Sequence, residues 1–149
     1  MEVARPILGG FMSAECFRYL RMDAEETAGR ALIVTAGKQR GRSLADFLKG
    51  IKPDDTAKIA ETLGKILGVE GTRLCLVKEV IKTDDGYTFK IDESACSYGL
   101  KADVPTCAYT LGVFAGAVEI ITGKRAHGVE HECQAIGSKF CVYQVELLS

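Results

Sequence analysis

Apolar residues follow two different spacings along this chain, and the change between them separates a helical first half from a mixed second half. Up to Gly68, apolar positions recur every three or four residues, which is the spacing of one face of an α-helix. From Leu74 onward, apolar and polar positions alternate, as they do along a half-buried strand. The pattern therefore predicts helices first and antiparallel hairpins later.

The first half is expected to contain three helices. The first begins after Ser13 as N-cap and ends near Gly29, the second spans residues 32–48, and the third begins at Pro53 and stops at Gly68. In the second helix, Gly37 and Gly41 share one face, where another backbone could approach closely. The apolar face of the first helix continues to Ala31 and comprises Phe17, Leu20, Ala24, Ala28 and Ala31.

The second half predicts two hairpins with a helix between them. A strand opens at residues 74–77, Asp-Asp-Gly at 84–86 is a turn signal, and Tyr87, Phe89 and Ile91 alternate with polar residues. A fourth helix is expected from Thr106 to Ile121, and a second hairpin turns at residues 136–138. The fold class is therefore α+β, with N-terminal helices packed on a four-stranded antiparallel sheet of two hairpins separated by a helix.

Composition narrows the class of protein. A chain of 149 residues indicates one domain, residues 1–149, and the formal net charge of −1 gives no reason to expect nucleic acid. The basic cluster at residues 38–42 is interpreted as a solvated helix face. The longest apolar stretch, residues 108–121, is too short to span a membrane, and no signal peptide is visible. We therefore expect a cytoplasmic protein whose six cysteines are reduced.

Three of these cysteines and one glutamate form the sharpest chemical signal, a candidate metal site. Cys107 would stand at a helix N-terminus after an N-cap at Thr106, where a thiolate is favoured. If the second hairpin has a three-residue loop, Cys133 and Cys141 face each other across the ladder. Glu130 joins them only if a bulge turns it to the same side. Thiolates and a carboxylate suit Zn²⁺.

Spacing alone leaves alternatives to that ligand set open. His131 shares strand parity with Cys133, and Cys96 is a further thiol, so either could replace a ligand. A disulfide between Cys133 and Cys141 is sterically allowed, and buried cysteines are also common core residues. The run from His127 to His131 matches H-x-x-E-H, but that zinc-peptidase pattern needs a helix, whereas a hairpin strand is expected here.

The C-terminal block resembles the 4-vinyl-reductase-like domain family, often described as hydrocarbon-binding. The matching features are P-x-C at the start of a helix, G-x-x-x-G within it, E-x-x-C-x-x-x-G, and C-x-[FY] closing the hairpin. The resemblance is specific over residues 94–146 and looser back to about residue 14. It implies an α+β fold related to haem-NO-binding domains and to Golgi transport-particle subunits.

The resemblance also implies a ligand set and a function. Aromatic-sensing members bind zinc through three cysteines and one glutamate, which correspond here to Cys107, Glu130, Cys133 and Cys141. Four such ligands leave no open position, so the zinc would be structural. The expected function is a binding domain for a small hydrophobic or aromatic molecule, a sensor or carrier, and the family's habit of pairing through helices implies a homodimer. Side chains of this type are more often ordinary core, and the candidate lining residues are Phe11, Phe17, Phe47, Tyr109 and Phe114.

Two other functions stay open at this point. One is a reductase acting on the vinyl group of a tetrapyrrole, although no G-x-G-x-x-G follows a strand and no partnered nucleophile and base stands out. The other is a structural or trafficking-type adaptor that binds another protein.

Overall fold

Helices and strands follow one another in the predicted order in the computed structural model, which describes residues 3–149. The helices are α1 (Ala14–Ala28), α2 (Arg30–Arg42), α3 (Ala45–Leu48), α4 (Thr56–Leu67) and α5 (Ala108–Thr122). The strands are β1 (Leu76–Lys82), β2 (Gly86–Asp92), β3 (Ala126–Glu132) and β4 (Cys141–Leu147). They form one antiparallel sheet in the order β1-β2-β4-β3. The predicted α+β class is confirmed.

Helix α5 is the centre of the molecule. It packs against α2 on one side and against strands β3 and β4 on the other, and most of its side chains are buried. Phe114 of α5 meets Phe89 of β2 with ring centroids 4.7 Å apart, and Tyr143 of β4 at 5.8 Å. Burial of large rings of this kind is a main source of folding free energy.

The close approach of α2 and α5 depends on glycine, as the sequence predicts. A Cβ atom at Gly37 would overlap the carbonyl oxygen of Tyr109, and one at Gly41 would overlap that of Val113. Gly112 of α5 lies directly opposite, with its Cα atom 2.9 Å from the Cβ position of Gly37. The two backbones are therefore in direct contact along this face.

Three predicted helix boundaries are wrong. The second helix stops at Arg42 because the Ser43 hydroxyl donates to the Arg40 carbonyl at 2.6 Å, and residues 45–48 form the separate helix α3. The third helix begins at Thr56 rather than Pro53, because the Asp55 carboxylate caps it by accepting from the Lys58 N–H at 3.0 Å. The fourth begins at Ala108, with Cys107 instead of Thr106 as N-cap.

Several other boundaries are as predicted, although α2 begins at Arg30 rather than Leu32 and β1 at Leu76 rather than Leu74. The Ser13 hydroxyl accepts a hydrogen bond from the Cys16 N–H, and Gly29, Gly68 and Gly123 follow the ends of α1, α4 and α5. Tyr87, Phe89 and Ile91 all point into the core from β2. Within residues 3–149, no helix is both long and apolar enough to cross a membrane.

Candidate metal centre and ligand groove

Three cysteine sulfur atoms converge below the N-terminus of α5. The sulfurs of Cys107, Cys133 and Cys141 all lie within 4.8 Å of one another, and the side chains are fully buried. The shortest recorded approach is 3.7 Å, between the sulfurs of Cys107 and Cys141. None of the three forms a disulfide. The predicted convergence of these cysteines is confirmed.

The path that brings Cys133 to the cluster differs from the prediction. The connection from β3 to β4 covers residues 133–140 and includes a short 3₁₀ turn, Gln134–Ile136, rather than a three-residue loop at 136–138. Cys133 is therefore outside the ladder, and Cys141 pairs with Ile91 of β2 instead. The turn still returns the chain to the cluster, because the Gln134 N–H donates to the Cys141 sulfur at 3.3 Å.

Glu130 borders the cluster from strand β3. The ladder between β3 and β4 shifts register between Glu130 and Glu132, which is the irregularity that the sequence required. Both carboxylate oxygens of Glu130 accept from the Cys107 N–H at 3.1 Å, so this side chain caps α5. Arg30 of α2 lies 3.8 Å from the same carboxylate. The carboxylate thus lies at the same helix end as the three sulfurs, although the donor atoms within 4.8 Å of one another comprise the sulfurs alone among the described residues.

The electrostatics of the cluster favour one thiolate at Cys107. Hydrogen bonds from the thiols of Cys133, Cys141 and Cys96 lower the pKa of Cys107 well below the usual cysteine range. Burial, and then the charge of the Cys107 thiolate, raise the pKa of Glu130 to about 8, although the Cys107 N–H and Arg30 act in the opposite direction. A bound cation would relieve this repulsion between neighbouring anions, so the donor set fits a metal such as zinc.

The two substitute ligands occupy different positions. His131 is exposed, and its Nε2 atom lies 2.6 Å from Gln144 Oε1 on β4, away from the sulfurs. Cys96 is buried beside the cluster, with its sulfur 3.1 Å from the Thr110 hydroxyl. His127 and His131 both belong to strand β3. The peptidase pattern therefore lacks the helix that it needs.

An apolar groove of about 730 Å³ lies between the N-terminal segment, α1, α5 and the connection from α4 to β1, and none of the four candidate metal ligands lines it. Phe17 and Tyr109 meet edge to face in its wall, with ring centroids 5.4 Å apart. The described residues that line it are Gly10, Phe11, Met12, Ala14, Phe17, Arg40, Leu67, Gly71, Thr72, Arg73, Leu74, Ala95 and Tyr109.

The candidate lining residues divide into three groups. Phe11, Phe17 and Tyr109 do line the groove, whereas Phe114 is a fully buried core residue. Phe47 is 63% exposed and lies at a different depression, beside α4. Sequence reasoning missed Arg40 and Arg73, because neither their periodicity nor their neighbours indicate a groove.

The basic cluster at residues 38–42 also differs from its interpretation as a solvated face. Lys38 and Arg42 both contact the carboxylate of Glu119 on α5, with Lys38 Nζ at 3.2 Å and Arg42 Nε at 2.6 Å. Arg40 borders the groove. Only the tertiary contact with α5 gives these charges partners, and no local pattern could have revealed it.

Comparison with known families relates the second half of the chain to one of them. The family model that describes the 4-vinyl reductase domain matches this chain from β2 to the end of β4. Residues 87–147 match a 4-vinyl reductase domain. This segment contains all three clustered cysteines and Glu130, in agreement with the resemblance found in the sequence. Among curated proteins, no match to the chain is found.

Solved structures extend the likeness beyond the 4-vinyl reductase segment. The phenol-responsive sensory domain of the transcription activator PoxR, crystallised with phenol, is 18% identical and superposes with a TM-score of 0.73 over 93% of this chain and 76% of its own. The helices before residue 87 therefore belong to the same fold.

Two further structures share that fold. A vinyl-4-reductase family protein from Methanocaldococcus jannaschii has a TM-score of 0.64 and 15% identity, covering 95% of this chain and 85% of its own. A trafficking protein particle complex subunit 3 from Naegleria fowleri, covalently bound to palmitic acid, has a TM-score of 0.62 and 17% identity, covering 91% and 93%. At these identities the likeness establishes the fold.

Proposed function

We propose that this protein is a zinc-stabilised binding domain for a small hydrophobic or aromatic ligand, acting as a sensor or carrier. The observation that carries the proposal is the groove of about 730 Å³, with the aromatic side chains of Phe17 and Tyr109 in its wall. Its volume is within the usual range for small-molecule sites, and such sites combine apolar walls with a few polar groups. The phenol bound by the PoxR sensory domain, which shares this fold, supports an aromatic ligand.

The zinc would be held by Cys107, Glu130, Cys133 and Cys141. Three sulfurs within 4.8 Å of one another and an adjacent buried carboxylate support this ligand set. Four protein ligands would complete a tetrahedral site with no position for water, so the metal would supply stability and no reaction step. Metal analysis of protein purified without chelator would test it, with about one zinc per chain expected.

The metal and the groove would be linked through α5. Cys107 precedes this helix, and Tyr109, which lines the groove, follows two residues later. On the other side, Ala95 lines the groove while the hydroxyl of the neighbouring Ser94 lies 3.5 Å from the Cys107 sulfur. A metal that fixes Cys107 would therefore also fix the groove wall.

A homodimer in the cytoplasm is the assembly that we propose. Apolar side chains stand in solvent along the N-terminal segment and the outer side of α1: Ile7 is 93% exposed, Leu8 70%, Tyr19 63% and Leu20 67%. A cluster of exposed apolar side chains is typical of a protein interface, and a second copy of this chain would cover it. Six free thiols suit a reducing compartment.

Native mass spectrometry and calorimetric titration would test ligand binding. We expect fresh protein to retain a small organic molecule, or the emptied protein to bind phenol or 4-phenylbutan-1-ol. Replacing Tyr109 by Ala should weaken binding roughly 5- to 30-fold, because one aromatic wall contributes about 1–2 kcal/mol. Phe47→Ala is the matched control, since Phe47 lies outside the groove, and it should bind like the wild type.

Two results would contradict the expected ligand binding. Equal effects of the two substitutions would refute the groove as the binding site, and no retained molecule together with no binding of phenol, 4-phenylbutan-1-ol or 4-phenylbutanoate would refute the ligand-binding function. In that case the fold would be serving a protein contact.

A further inference from the structure

We propose that the groove selects an anionic ligand: a molecule with an apolar or aromatic body and a carboxylate group, which Arg40 and Arg73 bind. This inference rests on the proposed ligand-binding function and narrows its ligand class. It adds a specificity that neither the cysteine cluster nor the apolar walls would provide.

Arg73 is held at the groove by an unusual backbone. Its φ angle is +59°, a left-handed conformation that is unfavourable for residues with a side chain. The guanidinium carbon lies 5.5 Å from the Phe11 ring centroid, and Nε donates to the Val69 carbonyl at 3.3 Å. Both Arg73 and Phe11 line the groove. Unfavourable backbone conformations persist most often where a side chain has a function to perform.

Arg40 approaches the groove from helix α2. It is half-buried, and Nη1 donates to the Ser43 hydroxyl at 3.1 Å. Like Tyr109 of α5, Arg40 lines the groove. Arg40 and Tyr109 therefore face the same space from α2 and α5.

The positive charge of these two residues has no partner within the described chain. Neither guanidinium is in an ion pair among residues 3–149. None of the described residues that line the groove is acidic. Glu93 lines the adjoining depression, which Arg73 also borders, but it is not ion-paired with Arg73 either. Glu61 and Glu70 line the depression that Arg40 also borders, and neither is in an ion pair with Arg40 among the described residues. The groove consequently combines apolar walls with positive charge that no ion pair neutralises within residues 3–149.

A carboxylate is the group that this arrangement favours. Arginine presents a planar fork of donors that matches two carboxylate oxygens, and each guanidinium uses one recorded hydrogen bond within the described chain. Arg40 is half-buried and Arg73 is exposed, so added salt partly screens the attraction. A neutral ligand of the same shape would leave both charges unpaired, so the apolar body provides affinity and the arginines provide selection.

Two probes that share one body test this selection: 4-phenylbutanoate and 4-phenylbutan-1-ol. We expect the wild-type chain to bind the carboxylate at least about tenfold more tightly by calorimetry, with a preference that decreases as salt is added. Arg73→Gln and Arg40→Gln should each remove most of that preference while changing affinity for the alcohol less than about twofold. Arg125→Gln is the control, because Arg125 is exposed in the turn before β3, outside the groove.

The outcomes separate this inference from the proposed function. Equal binding of the two probes, both weakened by Tyr109→Ala, would overturn the selection for anions and leave the ligand-binding function intact. Absence of binding by both probes would overturn both. If Arg125→Gln weakened carboxylate binding as much as Arg73→Gln, a general charge effect would explain the preference and the proposed pair would be wrong.

Discussion

Gly37 on α2 and Gly112 on α5 allow two helix backbones to touch, because neither residue has a Cβ atom. At Gly37 the added atom would overlap the Tyr109 carbonyl and lie 3.0 Å from the Val113 nitrogen, both of which are backbone groups that cannot rotate away. Tyr109 and Val113 belong to the helix that carries the candidate metal ligand Cys107. A single hydrogen in place of a methyl group therefore sets the position of α5.

Gly37→Ala should lower the free energy of unfolding by roughly 1–3 kcal/mol, because overpacking against backbone exceeds the gain in helix propensity. Gly64→Ala is the matched control. Gly64 lies in helix α4 with no atom within 4 Å of its Cβ position, so this substitution should raise stability by about 0.5–1 kcal/mol. Urea unfolding of the three proteins measures both changes. Stabilisation by Gly37→Ala would contradict the close packing.

At the scale of elements, Glu119 joins three of them. Its carboxylate accepts from Lys38 and Arg42 of α2 and from the Ala126 N–H, the first residue of β3, at 3.0 Å. Lys38 also donates to the Ala126 carbonyl. β3 is an edge strand, with β4 as its one neighbour in the sheet. This carboxylate therefore fixes the start of the strand that carries Glu130.

Glu119→Gln should destabilise the protein at pH 7 by about 1–3 kcal/mol, the range for hydrogen bonds to a charged group. Burial raises the pKa of Glu119. The hydrogen bonds from the Ala126 N–H, Arg42 and Lys38 together outweigh burial and hold this pKa below its ordinary 4.5. A lowered carboxyl pKa gives stability that is complete above 4.5 and disappears as pH falls through the folded pKa. The difference between variant and wild type should therefore shrink below about pH 4.

Thermal and urea unfolding between pH 3 and 7 measures this dependence. Glu61→Gln is the control, because Glu61 is in an exposed pair with Lys58 on α4, and it should change stability by less than about 1 kcal/mol at any pH. A Glu119→Gln effect that stays constant across the range would show that the charge of Glu119 is not what matters.

For the whole molecule, the cysteine cluster is the point where distant segments meet. Cys107 stands at the start of α5, Cys133 at the end of β3 and Cys141 at the start of β4. Their sulfurs are within 4.8 Å of one another although the residues span a long stretch of chain. A metal bound there would close these loops and stabilise the folded state against the unfolded chain.

Cys133→Ala should remove the bound zinc and lower the free energy of unfolding by roughly 3 kcal/mol or more, since loss of a structural metal is among the largest single-residue effects. Cys75→Ala is the matched control. Cys75 is a buried thiol outside the cluster, so its truncation should cost about 1 kcal/mol and leave the metal content unchanged. Metal analysis and calorimetry measure both properties. Equal losses of stability, or metal-free wild type, would refute the structural zinc.

The order of elements could be predicted from sequence because it depends on local properties. Helical spacing before Gly68, alternation in β2 and the caps at Ser13 and Gly123 depend on residues close together in the chain. The spacing of Cys107, Cys133 and Cys141 also predicted that these three thiols converge, while it left Cys96 and His131 open as substitute ligands. Boundaries were less secure where a side-chain hydrogen bond competed with the helix, as at Ser43 and Asp55.

By itself the sequence determined the α+β class, the hairpins and the set of metal-ligand candidates, because these follow from residue spacing and side-chain chemistry, which are local properties of the chain. Only the tertiary structure decided how Cys133 reaches Cys141 through a 3₁₀ turn, and which side chains line the groove. It also paired Lys38 and Arg42 with Glu119, while Arg40 and Arg73 stayed beside apolar walls. These features depend on contacts between residues far apart in the chain, so local periodicity does not predict them.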